Sequence, residues 1–277
     1  MTRVEGKGHG MKVGGLSLTA VNDGEFITGP EYFGPRATFE GHEDLVGPDG
    51  KMHMPIGCFV IRGGPLGEET VLVDAGLGEM SGDTFVGGKL MGELAAAGVR
   101  PEMVGTVVCS HLHIDHCGWL VDGDGKATFP NAGLFVGAGD WSRFVVEGTD
   151  LMLPQVRDGL RRLLDDGRVT LIDGDASVAP GVTTLAAPGH TPGHLVIVVS
   201  DESERAILLG DAISCPVQLD ETEWGAISDV DPALACRTRE RMWAELERSG
   251  DPGVGAHFPD LRFGRVLAGE AGPRWQS

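Results

Sequence analysis

No run of apolar residues in this 277-residue chain approaches the roughly 20 that a membrane-spanning helix needs, so no membrane segment is expected. The opening stretch, MTRVEGKGHGMKVGG, has no apolar centre and does not read as a secretory signal. Cysteines are few. Cys58, Cys109, Cys117, Cys215 and Cys236 are odd in number and none pairs as CxxC, so no disulfide framework is suggested, as suits a reducing compartment. These absences together predict a cytoplasmic protein. Basic residues are also scarce: 22 Lys and Arg against 41 Asp and Glu leave a formal charge of -19. Such a surface repels nucleic-acid backbones and anionic lipid, which need a basic face to release counterions. No nucleic-acid partner and no membrane partner are expected. The nearest thing to a basic patch, Arg157, Arg161 and Arg162, reads as one solvated helix face. Repeats and a dividing linker are lacking too, so residues 1–277 are expected to form a single domain.

Glycine, by contrast, is plentiful: 44 residues spread without a fixed period, which reads as many tight turns between short elements. With 41% hydrophobic and 23% charged residues the balance is that of an ordinary globular protein. LSLTAVNDGEF (Leu16–Phe26) reads as a strand, and CFVIRG and ETVLVDAG read as a hairpin. GTVVCSH and GLFVGAGDW are further strands, and RVTLIDG, GVTTLAAPG, HLVIVVSD and RAILLGDAI are four in succession. GVGAHFP is a last short strand. Helices are expected in GGKLMGELAAAGV, in LPQVRDGLRRLLDDG and, most clearly, in DPALACRTRERMWAELERSG, with Asp231 as cap, Pro232 in the first turn and Gly250 at the end. Residues 28–55 are rich in Gly and Pro and read as a long loop, a candidate substrate lid or interface. Two packed sheets with helices outside accommodate this order.

The scarce histidines are unevenly placed. Of nine in the chain, three fall in SHLHIDHCGW, Ser110–Trp119. If TVVCS is extended, His111 and His113 project to one side at spacing two, while Asp115 and His116 follow where the chain should turn at Gly118. Imidazole and carboxylate are the usual ligands of Zn²⁺ and similar divalent ions. One HxH pair is common by chance; a full HxHxDH is far rarer. His190 in APGHTPGH, Asp211 in LLGDAI and His257 in GAHFP each stand at a strand terminus. Each alone is an ordinary loop or cap residue. Their ordered combination favours a shared metal site.

The ordered set HLHIDH, PGHTPGH, LLGDA and GAH, preceded by LVDAG, resembles the metallo-β-lactamase superfamily, over about Leu16 to Leu267. The resemblance implies an α/β fold, a four-layer αβ/βα sandwich of two mixed β-sheets flanked by helices, with metals at one edge between the sheets. It implies one ion held by His111, His113 and His190, a second held by Asp115, His116 and His257, and Asp211 bridging them. Asp74 and His194 would orient the ligands. Within the superfamily the chain looks closest to the N-acyl-homoserine lactonase and methyl parathion hydrolase branch. The lactonases carry a tyrosine three residues after the bridging aspartate, where this chain has Ser214; its only tyrosine is Tyr32.

The cofactor so implied is two divalent metal ions per chain, Zn²⁺ first among them. Held together, they would share a water, lower its pKa and direct the resulting hydroxide at a small lactone, ester or related substrate. Asp211 and Asp115 are the expected catalytic carboxylates. Two alternatives share the motif: a phosphotriesterase-like hydrolase of organophosphates, and a mononuclear iron dioxygenase of the persulfide type. For the small-molecule pocket, Tyr32, Phe33 and Phe39 of the long loop could form an apolar wall, joined by Trp119, Trp224 and Ser214. The competing use of these aromatics is packing within the scaffold or at the interface of a homodimer.

Overall fold

The computed structural model describes residues 10–149, 151–269 and 272–277. Residues 1–9, which open the stretch read above as lacking a secretory signal, lie outside the described residues. The first sheet is built from β1 (Gly10–Val13), β2 (Leu16–Thr28), β3 (Met52–Gly63), β4 (Thr70–Val73), β5 (Phe85–Val86), β6 (Val104–Val108), β7 (Gly133–Gly137) and β8 (Val169–Ile172). Its order is β1-β2-β3-β4-β6-β7-β8, with β5 paired to β2. The pairs from β4 onward are parallel and the earlier ones antiparallel. The second sheet comprises β9 (Ala176–Ala179), β10 (Val182–Ala186), β11 (Leu195–Asp201), β12 (Glu204–Leu208) and β13 (Gly253–Val254), in the order β13-β12-β11-β10-β9. It too is mixed, since β12 and β13 run parallel. The two sheets and the helices outside them form an αβ/βα sandwich.

Side-chain alternation divides the strands between two cores. In β3, Phe59 and Ile61 enter the core between the sheets while Cys58 and Val60 enter the core under the helices. In β4, Val71 and Val73 face one way and Leu72 the other. This period of two, buried on both faces, is why CFVIRG and TVLV read as nearly continuous apolar runs. Helices α1 (Leu90–Ala96) and α4 (Pro154–Asp165) cover the outer face of the first sheet, with Leu90, Leu94, Val156 and Leu160 inward. Between them lie a single turn, α2 (Ile114–Cys117), and α3 (Ala138–Asp140), which runs on as a π-helix over Trp141–Gly148. Helix α5 (Pro232–Ser249) covers the second sheet through Met242, Trp243 and Leu246. Its Asp231 carboxylate accepts the Leu234 N–H at 2.9 Å, and Gly250 closes it at φ 67°, as the sequence predicts. No described helix is long and apolar enough to cross a membrane.

Several expectations need correction. Strand β3 begins at Met52, not near Cys58, so the loop ahead of it spans only 29–51. β7 stops at Gly137; the AGDW that follows is helical. β9 was not foreseen beside the four later strands, and GVGAHFP is not the last strand, because β14 (Arg265–Leu267) and β15 (Arg274–Gln276) form a hairpin beyond it.

The topology gathers loops at one edge. Parallel β4 and β6 end side by side, and parallel β12 and β13 do the same in the other sheet. Open α/β sheets characteristically bind ligands outside such carboxyl ends. Main-chain bonds cross between the halves there: Leu195 N–H to Ser110 O at 2.7 Å and Gly57 N–H to Ala256 O at 2.9 Å.

Candidate metal centre

Contrary to expectation, the HLHIDH segment does not point its residues by strand alternation. β6 ends at Val108, and His111 to His113 lie in the loop beyond it. His113 is extended (φ -71°, ψ 159°) and opens the α2 turn, which swings Asp115 and His116 onto the same side. The chain turns at Gly118, as foreseen; any side chain there would overlap the main chain at Leu77. His190 comes from the β10–β11 loop, Asp211 from the end of β12 and His257 from the end of β13.

These seven side chains converge, and none is more than 7% exposed. Three groups bring ligand atoms within 4.8 Å of one another: His111, His113 and His190; Asp115, His116 and His257; and His111, His116 and Asp211. The third links the other two. Asp211 Oδ1 is 3.5 Å from His116 Nε2, and its Oδ2 is 3.6 Å from His190 Nε2 and 3.2 Å from His257 Nε2. Asp115 Oδ2 lies 3.4 Å from His257 Nε2, and His190 Nε2 lies 3.0 Å from His113 Nδ1.

Outward-facing nitrogens are held by acceptors. Asp74 takes His116 Nδ1 at 2.9 Å and also the N–H and hydroxyl of Ser110, each at 2.7 Å. It does so from a left-handed φ of 61°, a strained conformation for a non-glycine residue. His257 Nδ1 is 2.7 Å from the Pro55 carbonyl, and His190 Nδ1 is 2.8 Å from Asp229 Oδ1. His194 touches no ligand imidazole through a hydrogen bond. Its Nε2 accepts the Asp211 N–H at 3.0 Å and so fixes that residue's main chain.

Sequence reasoning missed two acids here. Asp229 follows no motif. Asp140, fully buried, accepts from Leu112 N–H (2.9 Å), Thr191 Oγ1 (2.9 Å) and Gly193 N–H (2.6 Å), tying the HLHIDH loop to the PGHTPGH loop. Burial outweighs these bonds and raises its pKa to about 6. Gly137 and Gly193 make the same junction possible, since a side chain on Gly137 would overlap the Gly193 carbonyl.

The electrostatics of the cluster call for positive charge. Burial disfavours protonated His116, yet Asp115, Asp211 and Asp74 overcome it and raise its pKa to about 9. His257 is likewise raised against burial, by Asp211 and Asp115. Burial pushes the carboxyl of Asp115 up, but His116 and His257 outweigh it and bring it to about 2. Burial and the neighbouring imidazoles, His190 first, lower His113 to about 3, so it stays a neutral donor. Meanwhile His111 Nε2, His116 Nε2 and Asp211 Oδ1 are buried with no hydrogen-bond partner, although the last two lie 3.5 Å apart. Buried polar atoms are rarely left so. Unpartnered imidazole nitrogens facing two carboxylates fit divalent cations, which bind neutral imidazole and carboxylate together.

A cavity of about 210 Å³ opens onto the cluster, lined by Phe26, Tyr32, Phe85, Ile114, Leu151 and Ile227, with Ser228 and the cluster residues His113, Asp115, Asp211 and His257. Of the residues predicted to contact substrate, only Tyr32 lines it. Phe33 and Trp224 stack on each other at 5.0 Å behind it, and Phe39 packs against the same apolar cluster. Trp119 points elsewhere, its Nε1–H donating to Asp23 at 2.9 Å. Ser214 is buried, with its Oγ 3.4 Å from the Tyr32 hydroxyl. Phe33, Phe39 and Trp224 thus pack within one apolar cluster of the scaffold. A larger groove of about 700 Å³ lies between α5 and β10–β12, but no cluster residue lines it, and its Arg205 and Arg248 are paired with Glu245.

A two-sheet αβ/βα sandwich with a buried His/Asp cluster at the carboxyl ends of its strands defines a class of metal-binding α/β proteins. The sequence profile of the metallo-beta-lactamase superfamily matches residues 55–233, and the chain belongs to that superfamily. The chain is 25% identical over 181 residues to an N-acyl homoserine lactonase from Bacillus cereus, covering 58% of this chain and 65% of that protein. It is 32% identical over 201 residues to metallo-beta-lactamase domain-containing protein 1 from Homo sapiens, covering 71% of this chain and 65% of that one. The chain thus spans just under two thirds of the length of these relatives. The solved structure of AidC, a dizinc quorum-quenching lactonase, superposes with a TM-score of 0.84 at 22% identity, over 97% of this chain and 96% of that one; the likeness is one of fold.

Proposed function

We propose that the protein is a dinuclear metal-dependent hydrolase that opens a small lactone or ester. The observation that carries this reading is the convergence of seven buried donors with unpartnered atoms among them. His111, His113 and His190 would hold one ion, Asp115, His116 and His257 the other, with Asp211 shared. That is more donors than one ion takes, which favours two ions over a mononuclear iron centre. Bound there, a pair of divalent cations such as Zn²⁺ supplies Lewis acidity and an acidified water.

The chain's own residues do the rest. Asp211, within 3.6 Å of ring nitrogens from His116, His190 and His257, is placed to take the proton of the attacking water and pass it to the leaving alkoxide oxygen as the ester opens, with Asp115 beside it. Phe26, Phe85, Ile114, Leu151 and Ile227 exclude water and accept the apolar part of the substrate. A neutral or weakly charged substrate suits a surface of net charge -19. The N-acyl homoserine lactonase from Bacillus cereus among the relatives supports a lactone. The five free cysteines support a cytoplasmic setting.

The test is metal quantification followed by turnover on a panel of lactones, aryl esters and organophosphate triesters. Two ions per chain and lactone or ester hydrolysis are expected. Turnover confined to the triesters would replace the substrate class, and one iron with oxygen consumption on a persulfide would overturn the reading. Asp211→Ala or His190→Ala should each lower metal content and reduce activity by roughly 100-fold or more together. Full activity in either variant would contradict the assignment.

A further inference from the structure

Tyr32 is the only tyrosine of the chain and lines the cavity above the cluster. It is held from several sides. Its ring packs edge-on against Phe26 at 4.9 Å and Phe33 at 5.0 Å. Its carbonyl accepts the Ile227 N–H at 2.7 Å, and the turn that carries it, Pro30–Phe33, starts with a proline. The residue is 5% exposed. A buried phenol ordinarily finds a good partner. This one has a single contact, to Ser214 Oγ at 3.4 Å, longer than the roughly 2.7–2.8 Å of a normal O–H···O bond. Tyr32 shares the lining of this cavity with His113, Asp115, Asp211 and His257, and Ser214 sits three residues past Asp211. The other lining residues outside the cluster are apolar, apart from Ser228 on the half-exposed rim. Tyr32 is therefore the buried neutral donor in the wall.

We propose that the Tyr32 hydroxyl meets the carbonyl oxygen of the substrate and that Ser214 keeps it aimed there. This rests on the reading of the site as a lactone- or ester-opening centre. A carbonyl oxygen is an acceptor, and the apolar wall offers it nothing. As the carbonyl carbon becomes tetrahedral its oxygen gains charge, and a donor already in place strengthens its bond without reorganising. The phenol keeps its proton. Ser214 can then turn its own hydroxyl to donate to the phenol oxygen, since each hydroxyl both donates and accepts.

Tyr32→Phe removes the hydroxyl and leaves the aromatic packing. Metal content should be unchanged, KM should move less than about threefold, and kcat should fall roughly 10- to 100-fold. Because the chain has one tyrosine, expression with fluorotyrosine labels this phenol alone. Its fluorine NMR signal should shift when the ring-opened carboxylate product is added to metal-loaded protein. A Tyr32→Phe kcat within twofold of wild type, or a fluorine signal indifferent to product, overturns the assignment and leaves the hydrolase reading standing. Wild-type protein loaded with two ions that hydrolyses no lactone or ester overturns both.

Discussion

A ligating imidazole has two nitrogens, and a cation takes only one, so the other decides how firmly the ring is aimed. His116, His190 and His257 illustrate three solutions: Asp74, Asp229 and the Pro55 carbonyl each hold the outer nitrogen within 2.9 Å. Asp229, like the Pro55 carbonyl, has no counterpart in the sequence reading, and its removal is informative because it touches only His190 among the candidate ligands. Asp229→Asn should weaken metal affinity about 10- to 100-fold with little change in fold; competition with a chromogenic chelator measures it, and unchanged affinity would show that His190 needs no such partner. The candidate ligands were legible because histidine is rare here and HxHxDH is compressed into a few positions. Asp229 and Asp140 were not, because each reaches the site from a segment whose own spacing carries no motif, and a lone acid in a loop has the same sequence signature whether buried or solvated.

Among the elements, the long strand β2 carries a polar residue that alternation alone would place oddly: Asp23, fully buried. Its carboxylate accepts the main-chain N–H groups of Leu77 (2.7 Å), Gly78 (3.2 Å), Gly88 (3.2 Å) and Leu90 (2.7 Å), and the Trp119 indole N–H (2.9 Å). One side chain thus pins the segment between β4 and α1, and the turn after α2, to the first sheet. Asp23→Ala would strand several buried donors at once, each costing about 1–3 kcal/mol if unmet. With partial relaxation, denaturant unfolding should show a loss of about 3–5 kcal/mol. A loss below about 1 kcal/mol would mean the segment is held by packing instead. Element type was readable where the period was long and the punctuation strong, as in α5 with its cap, proline and glycine. It failed in short stretches: Met52–Ile56 sits in a Gly/Pro-rich context but gains pairing along the length of β2, and AGDW has apolar spacing that suits strand and helix alike until Asp140 finds its three donors.

For the whole molecule, the cluster links stability to pH and to metal with opposite signs. In metal-free protein the pKa of His116 is raised to about 9, above the roughly 6.5 of an unfolded histidine, so its contribution is full below about pH 6.5 and is lost as pH rises through 9. Cation binding needs the same nitrogen unprotonated and therefore gains over that interval. The Tm difference between metal-loaded and metal-free protein should widen from pH 6.5 to pH 9, as differential scanning fluorimetry at matched ionic strength would report; a constant or shrinking gap would refute the linkage. The donors also divide between the halves of the sandwich: residues 111–116 hang from the first sheet, and His190, Asp211 and His257 from the second. A nascent chain still short of position 257 lacks one of them, and a chain whose halves have not docked presents them apart. The proposed pair of cation sites is thus complete only once position 257 has been synthesised and the two halves have docked, so loading of both sites would report that the sandwich has closed.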